Sequence, residues 1–101
     1  MLCIAHHDAD RGLIGIRLCY SADSSGIDFP IRTIVADALA LETSGLILAH
    51  NHPSGDPQPS AADLEATRRL LSVARPLGLR VHDHLVFAGR RCVSLREVGL
   101  L

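Results

Sequence analysis

The run Leu46-Ile47-Leu48-Ala49 is apolar at every position and leads directly into His50-Asn51-His52-Pro53. A strand without polar alternation offers no face to water, so this run predicts a central strand covered on both sides. That demand restricts the chain to a sheet with helices packed on it. The next residues restrict it further. Pro53, Gly55, Pro57 and Pro59 make a stiff loop, Ser60 stands where a helix would be capped, and Asp63 falls in the first turn. Strand, loop and helix start therefore bring His50, His52 and Asp63 toward one point. Carboxyl ends of strands are where open α/β sheets usually place ligands.

The remaining elements are read from local signals. Leu2 to His7 reads as a short strand, Asp8 to Gly12 as a turn rich in Asp and Gly, and Leu13 to Tyr20 as a second strand, together a hairpin. Ser21 to Phe29 is a polar loop. Pro30 opens a helix whose buried face is predicted to be Ile31, Ile34, Val35, Ala38 and Leu39, with Gly45 stopping it. Ser60 caps a second helix with Leu64, Leu70, Leu71 and Ala74 inward and Arg68, Arg69 and Arg75 in water; Pro76 and Gly78 close it. Leu79 to Phe87 is another strand, Gly89-Arg90 a hairpin turn, and Arg91 to Ser94 a last short strand. The order β-β-α-β-α-β-β predicts one α/β domain over residues 1–101, with helices packed on a mixed sheet.

Composition narrows the function classes. With two Phe, one Tyr and no Trp, the core must be built from Leu, Ile, Val and Ala. The net charge of −1 is spread without a Lys/Arg block, so no nucleic-acid or anionic-membrane surface is expected. Cys3, Cys19 and Cys92 form no C-x-x-C pair and are odd in number, which argues for free buried thiols in a reducing cytoplasm. There is neither a membrane-length apolar run nor a signal-type N-terminus, so a cytoplasmic protein is expected.

The histidines carry the chemistry. Side chains at i and i+2 of a strand share a face, so His50 and His52 can converge on one ion. Pro53 holds His52 in extended backbone. At a helix start the dipole favours the ionised form of Asp63, the form a metal needs. Three protein ligands with one open position describe a catalytic zinc site. The competing explanation is that Ser60-x-x-Asp63 is only a capping box with Asp in place of Glu, and that the histidines are solvated turn residues.

The pattern His50-x-His52, seven residues, then Ser60-x-x-Asp63 resembles the JAMM signature of JAB/MPN-domain metalloproteins. The longer stretch from Ala49 to Pro57, with the later Asp83-His84-Leu85, is similar to the RadC branch of that family. The resemblance implies a cytidine-deaminase-like three-layer arrangement. It implies Zn2+ held by His50, His52 and Asp63, and Ser60 donating to the oxyanion of a tetrahedral intermediate. The implied reaction is hydrolysis of a peptide or isopeptide bond in a peptide or protein substrate. The alternative is a weak or inactive metal-binding accessory module, which the family name associates with DNA repair.

In JAMM enzymes a glutamate near the start of the domain is the general acid/base. This chain begins inside its first strand and has three glutamates, none well placed: Glu42 at the far end of the strand delivering His50, Glu65 on another helix face, and Glu97 in the tail. A chain truncated before that glutamate is therefore expected. Asp83 is a candidate substitute, with a supporting or structural role as the alternative. His6-His7 is expected to be solvated, although His7-Asp8 would approach the zinc if the first strand borders the pocket. His82 and His84 repeat the i, i+2 spacing without an acid. An exposed strand edge could pair two copies as a homodimer.

Overall fold

Alternating burial along the first strand sets the orientation of the sheet. In the computed structural model, which describes residues 1–20 and 29–101, β1 (Leu2–His7) buries Leu2, Ile4 and His6 and turns Cys3, Ala5 and His7 the other way. It pairs antiparallel with β2 (Leu13–Cys19) on one side and β3 (Gly45–Asn51) on the other. β4 (Arg80–Ala88) runs parallel to β3, and β5 (Arg91–Ser94) antiparallel to β4, giving the sheet order β2-β1-β3-β4-β5. The fold is α/β with a mixed five-stranded sheet, as expected. Most of the loop expected over Ser21 to Phe29 lies outside the described residues; Phe29 itself is buried.

Local chemistry explains the boundaries. The Asp8 carboxylate accepts from the N–H groups of Asp10 and Gly12 at 2.9 and 2.8 Å, closing the β1–β2 turn as an Asx motif. Helix α1 (Ile31–Leu41) begins after Pro30 and buries Ile34 and Ala38. Leu39, expected on that face, is 68% exposed. The helix ends at Glu42, which takes the left-handed conformation at φ 55° and donates its N–H to Ala38 O. Gly45, expected to stop the helix, instead starts β3, where a Cβ would run into the His82 imidazole.

Helix α2 (Ala61–Ala74) has Ser60 at its N-cap and buries Asp63, Ala66, Thr67, Leu70 and Ala74. Leu64 and Leu71, expected in the core, are only half-buried, because the inward stripe is rotated to include the polar pair Asp63 and Thr67. Arg68, Arg69 and Arg75 are exposed. A 3-10 turn (Arg75–Leu77) ends on Gly78 at φ 71°.

Of the three layers implied by the resemblance, the described residues form two, the sheet and one layer of helices. β2 and β3 both oppose β1, so they are parallel to each other, and α1 and α2 are both crossovers between parallel strands. Both crossovers step the same way across the sheet. Right-handed connections then put both helices on one face. The core agrees: Ile34 of α1 and Ala66, Leu70 and Ala74 of α2 join Leu2, Ile4, Phe29, Leu46, Leu48 and Val81 in a single cluster. Burying each large aliphatic there contributes about 1.5–3 kcal/mol. On the other face of β3, Ile47 and Ala49 are half-buried, so among the described residues the strand is not covered equally on both sides. The free thiols also sit nearer the surface than expected: Cys3 and Cys19 are half-buried and Cys92 is exposed. Among the described residues no helix is long and apolar enough to cross a membrane.

One irregularity in the sheet decides which histidines face the core. Between β3 and β4 the register passes from Leu46↔Val81 to Ile47↔Asp83, leaving His82 as an extra residue. Such a bulge re-aims the side chains beyond it. It turns His84, which pairs with Leu48, onto the face occupied by Val81, Leu48 and His50.

Candidate metal centre

β3 ends where its side chains stop being apolar. His50 is the last core-facing residue of the strand and is 5% exposed. His52 lies just beyond, its N–H bonded to Phe87 O at 2.7 Å, so the backbone keeps its strand-like path past β4. The loop then folds back. Gly55, at φ 85°, donates to His52 O, and Arg91 of β5 donates to Gly55 O at 2.9 Å. This turn aims the Asp56 carbonyl at His52 Nδ1, 2.8 Å away.

From the other side α2 presents Asp63, 2% exposed. Its Oδ2 lies 2.9 Å from His52 Nε2 and its Oδ1 3.2 Å from His50 Nε2. Ligand atoms of His50, His52 and Asp63 fall within 4.8 Å of one another, and this is the group among the described residues able to hold a metal ion. The expected capping box is equally present. Ser60 Oγ accepts from Asp63 N–H at 3.1 Å, and Asp63 Oδ2 accepts from Ser60 N–H at 2.8 Å. Ser60 thus adjoins the ligand group, and its cap fixes where Asp63 points.

The electrostatics suit a cation. Burial opposes ionisation of Asp63, but the neighbouring His50 and the Ser60 N–H outweigh it and hold the carboxyl well below its usual range. A backbone carbonyl only accepts, so His52 donates from Nδ1 to Asp56 O, and in the neutral ring Nε2 carries a lone pair facing Asp63. His50 Nε2 is buried without a hydrogen-bond partner. Two imidazole nitrogens and a carboxylate oxygen are a donor set that zinc accepts.

Behind the ligands lies a chain of polar contacts that sequence reasoning only partly locates. His84, fully buried, has Nε2 2.8 Å from His50 Nδ1 and Nδ1 2.7 Å from Thr67 Oγ1. Phe29 covers its ring edge-on at 5.2 Å between centroids. Burial pushes the His84 pKa down to about 4, with His50 adding to the effect and Asp63 and Asp83 opposing it. Thr67 is absent from the sequence-based candidates. The signal that could have found it is its i+4 spacing from Asp63, on the same helix face.

Several other candidates are placed elsewhere. Asp83 accepts from Ser94 Oγ at 2.6 Å and from the N–H groups of His84 and Arg96, so its carboxylate organises the turn after β5. His7 pairs with Gly45, at the opposite end of β3 from His50, and does not approach the ligands. His6 is not solvated but 1% exposed, with Nδ1 2.8 Å from Thr43 Oγ1. The bulge separates His82 from the face of His84. Glu42 caps α1, Glu65 lies on the exposed side of α2 near Arg69, and the Glu97 N–H is tied to Ser94 Oγ. None of the three joins the ligand group. The start of β1 does border it: Leu2 pairs with His50, and the Met1 ammonium donates to Asn51 Oδ1 at 3.0 Å.

Comparison with known proteins agrees with this geometry. The chain is 53% identical over 70 residues to a "UPF0758 protein" of Rhodobacter capsulatus, an alignment covering 69% of this chain and 33% of that protein. It therefore spans about a third of that relative's length. The profile of the RadC-like JAB domain matches residues 1–100, and the chain belongs to that family.

Proposed function

We propose that this domain binds Zn2+ through His50, His52 and Asp63 and hydrolyses a peptide or isopeptide bond in the manner of JAMM proteins. The observation that carries the metal reading is the buried His50 Nε2, which has no hydrogen-bond partner and faces the ionised Asp63 from 3.2 Å. Two acceptors at that distance are tolerated only with a cation or proton between them. When bound, zinc supplies a Lewis acid and a water of lowered pKa. The chain's own groups do the rest. The Asp56 carbonyl orients His52 and the α2 cap orients Asp63; the Ser60 hydroxyl, exposed beside them, would donate to the oxyanion that develops during hydrolysis.

A second reading is favoured by one observation. Asp63 is the carboxylate of the ligand group, and none of the three glutamates belongs to that group. A domain whose site carboxylate is spent on the metal would act as a metal-binding accessory module, with weak turnover on its own. The association with DNA repair belongs to this reading.

Elemental analysis of the purified domain tests the ligand assignment. One zinc per chain is expected, with stoichiometric metal lost in both His50→Ala and Asp63→Ala. Full zinc retention in both variants overturns it. Turnover of an isopeptide-linked substrate by the zinc-loaded domain then separates the hydrolase from the accessory module.

A further inference from the structure

We propose that Thr67 and His84 are positioning residues that hold His50 in the tautomer protonated on Nδ1, so that its Nε2 offers a lone pair to the metal. The inference rests on the metal-site reading and concerns how this chain prepares one ligand for it.

The protons can be traced one by one. Thr67 Oγ1 lies 2.8 Å from the carbonyl oxygen of Asp63, one turn earlier in α2. A carbonyl cannot donate, so the single hydroxyl proton of Thr67 is committed there. Its oxygen can then only accept from His84 Nδ1, 2.7 Å away. A neutral His84 with its proton on Nδ1 has a lone pair on Nε2. That nitrogen is 2.8 Å from His50 Nδ1, which must therefore donate. His50 Nε2 is left bare, buried and directed at Asp63 Oδ1.

Each step fixes the next because every member is buried: Thr67 at 1%, His84 at 0% and His50 at 5% exposure. Water cannot step in to satisfy a flipped tautomer. The circuit also closes on itself, starting at the Asp63 backbone and ending at the Asp63 carboxylate. Helix α2 and strands β3 and β4 are thereby tied together through polar atoms that would otherwise be unsatisfied. His52 reaches the same tautomer more simply, through the Asp56 carbonyl. Partners that take the second ring N–H of a ligating histidine set its tautomer and orientation, and losing one typically costs about 10- to 100-fold in metal affinity.

The test uses the whole 101-residue chain. Long-range proton–nitrogen correlation spectra of the metal-free protein, labelled on its histidine nitrogens, read the tautomers directly. His50 and His84 are both expected to carry a proton on Nδ1, whether or not a further proton bridges His50 Nε2 and Asp63 when the metal is absent. Thr67→Val, which removes the hydroxyl at similar volume, should leave both rings as tautomer mixtures and weaken zinc binding about tenfold or more in competition with a chelator. Thr67→Ser should restore both. A His50 with no proton on Nδ1 in the unaltered protein overturns the proposal, and so does a Thr67→Val protein with unchanged ring protonation and affinity. If Thr67→Val does not fold, the tautomers of the unaltered chain decide. If the unaltered chain takes up no zinc, the metal reading fails while the spectra still decide the tautomer.

Discussion

The atoms of Ser60 and Asp63 that cap α2 also border the candidate metal centre. Asp63 Oδ2 receives the Ser60 N–H and faces His52 Nε2, so the cap that starts α2 also sets the angle of a candidate metal ligand. Asp63 gains its stability in the ionised form. Because its pKa is lowered on folding, that contribution is present above the usual carboxylate range and is lost only as pH falls through its depressed folded value. Ser60 can be divided more finely. Removing the hydroxyl in Ser60→Ala should cost about 1 kcal/mol as a lost N-cap, seen as a fall of a few degrees in Tm. The backbone N–H to Asp63 remains, so zinc content should hold. If the hydroxyl stabilises a developing oxyanion, turnover should drop by about 10²–10³-fold, far beyond what the lost stability explains. Unchanged turnover with the same Tm penalty would leave Ser60 as a cap alone.

Among the elements, those encoded by short-range chemistry are legible in the sequence and those set by register are not. The bounds of β1 and β5 and the N-cap of α2 come from strand patterning and the four-residue capping pattern Ser60-x-x-Asp63, and the structure has them where the residues place them. The candidate ligands His50, His52 and Asp63 are legible for the same reason, lying on one strand exit and one helix start. His84 is not. Simple alternation along β4 would set it on the face opposite Val81, and only the extra residue His82 brings both to the core face. The same bulge explains Gly45, which reads as a helix stop but is a site of close approach. A Cβ there meets the His82 ring, so Gly45→Ala should cost about 1–3 kcal/mol in urea unfolding through overpacking. Pairing it with His82→Ala should recover most of that loss. Equal stability of Gly45→Ala and the unaltered chain would show that the ring swings aside and that the glycine is not needed for the bulge.

Taken as one molecule, the domain keeps a polar circuit inside an aliphatic core, and acid should find that weakness first. His84 is enclosed by Phe29, Thr67, His50 and the β3–β4 backbone, with Asp63, Asp83 and His52 the other charged or titratable groups acting on it. Its pKa, 6.5 when free, is pushed to about 4, chiefly because burial penalises the imidazolium. His6 and His82 are shifted in the same direction, again first by burial. Between pH 6.5 and about 4 the unfolded chain therefore binds protons that the folded chain refuses. Stability must fall as pH drops through that window, and His84 alone accounts for about 3 kcal/mol of it. Asp63 cannot offset this, since above about pH 4 it is largely ionised in both states. Urea midpoints of the metal-free protein should decline continuously from about pH 7 to about pH 4.5. His84→Gln should start less stable yet show a shallower decline, because the slope counts protons and not contacts. A profile as steep in that variant as in the unaltered chain would mean that His84 is not the group refusing the proton, and that the acid sensitivity is held by the other histidines.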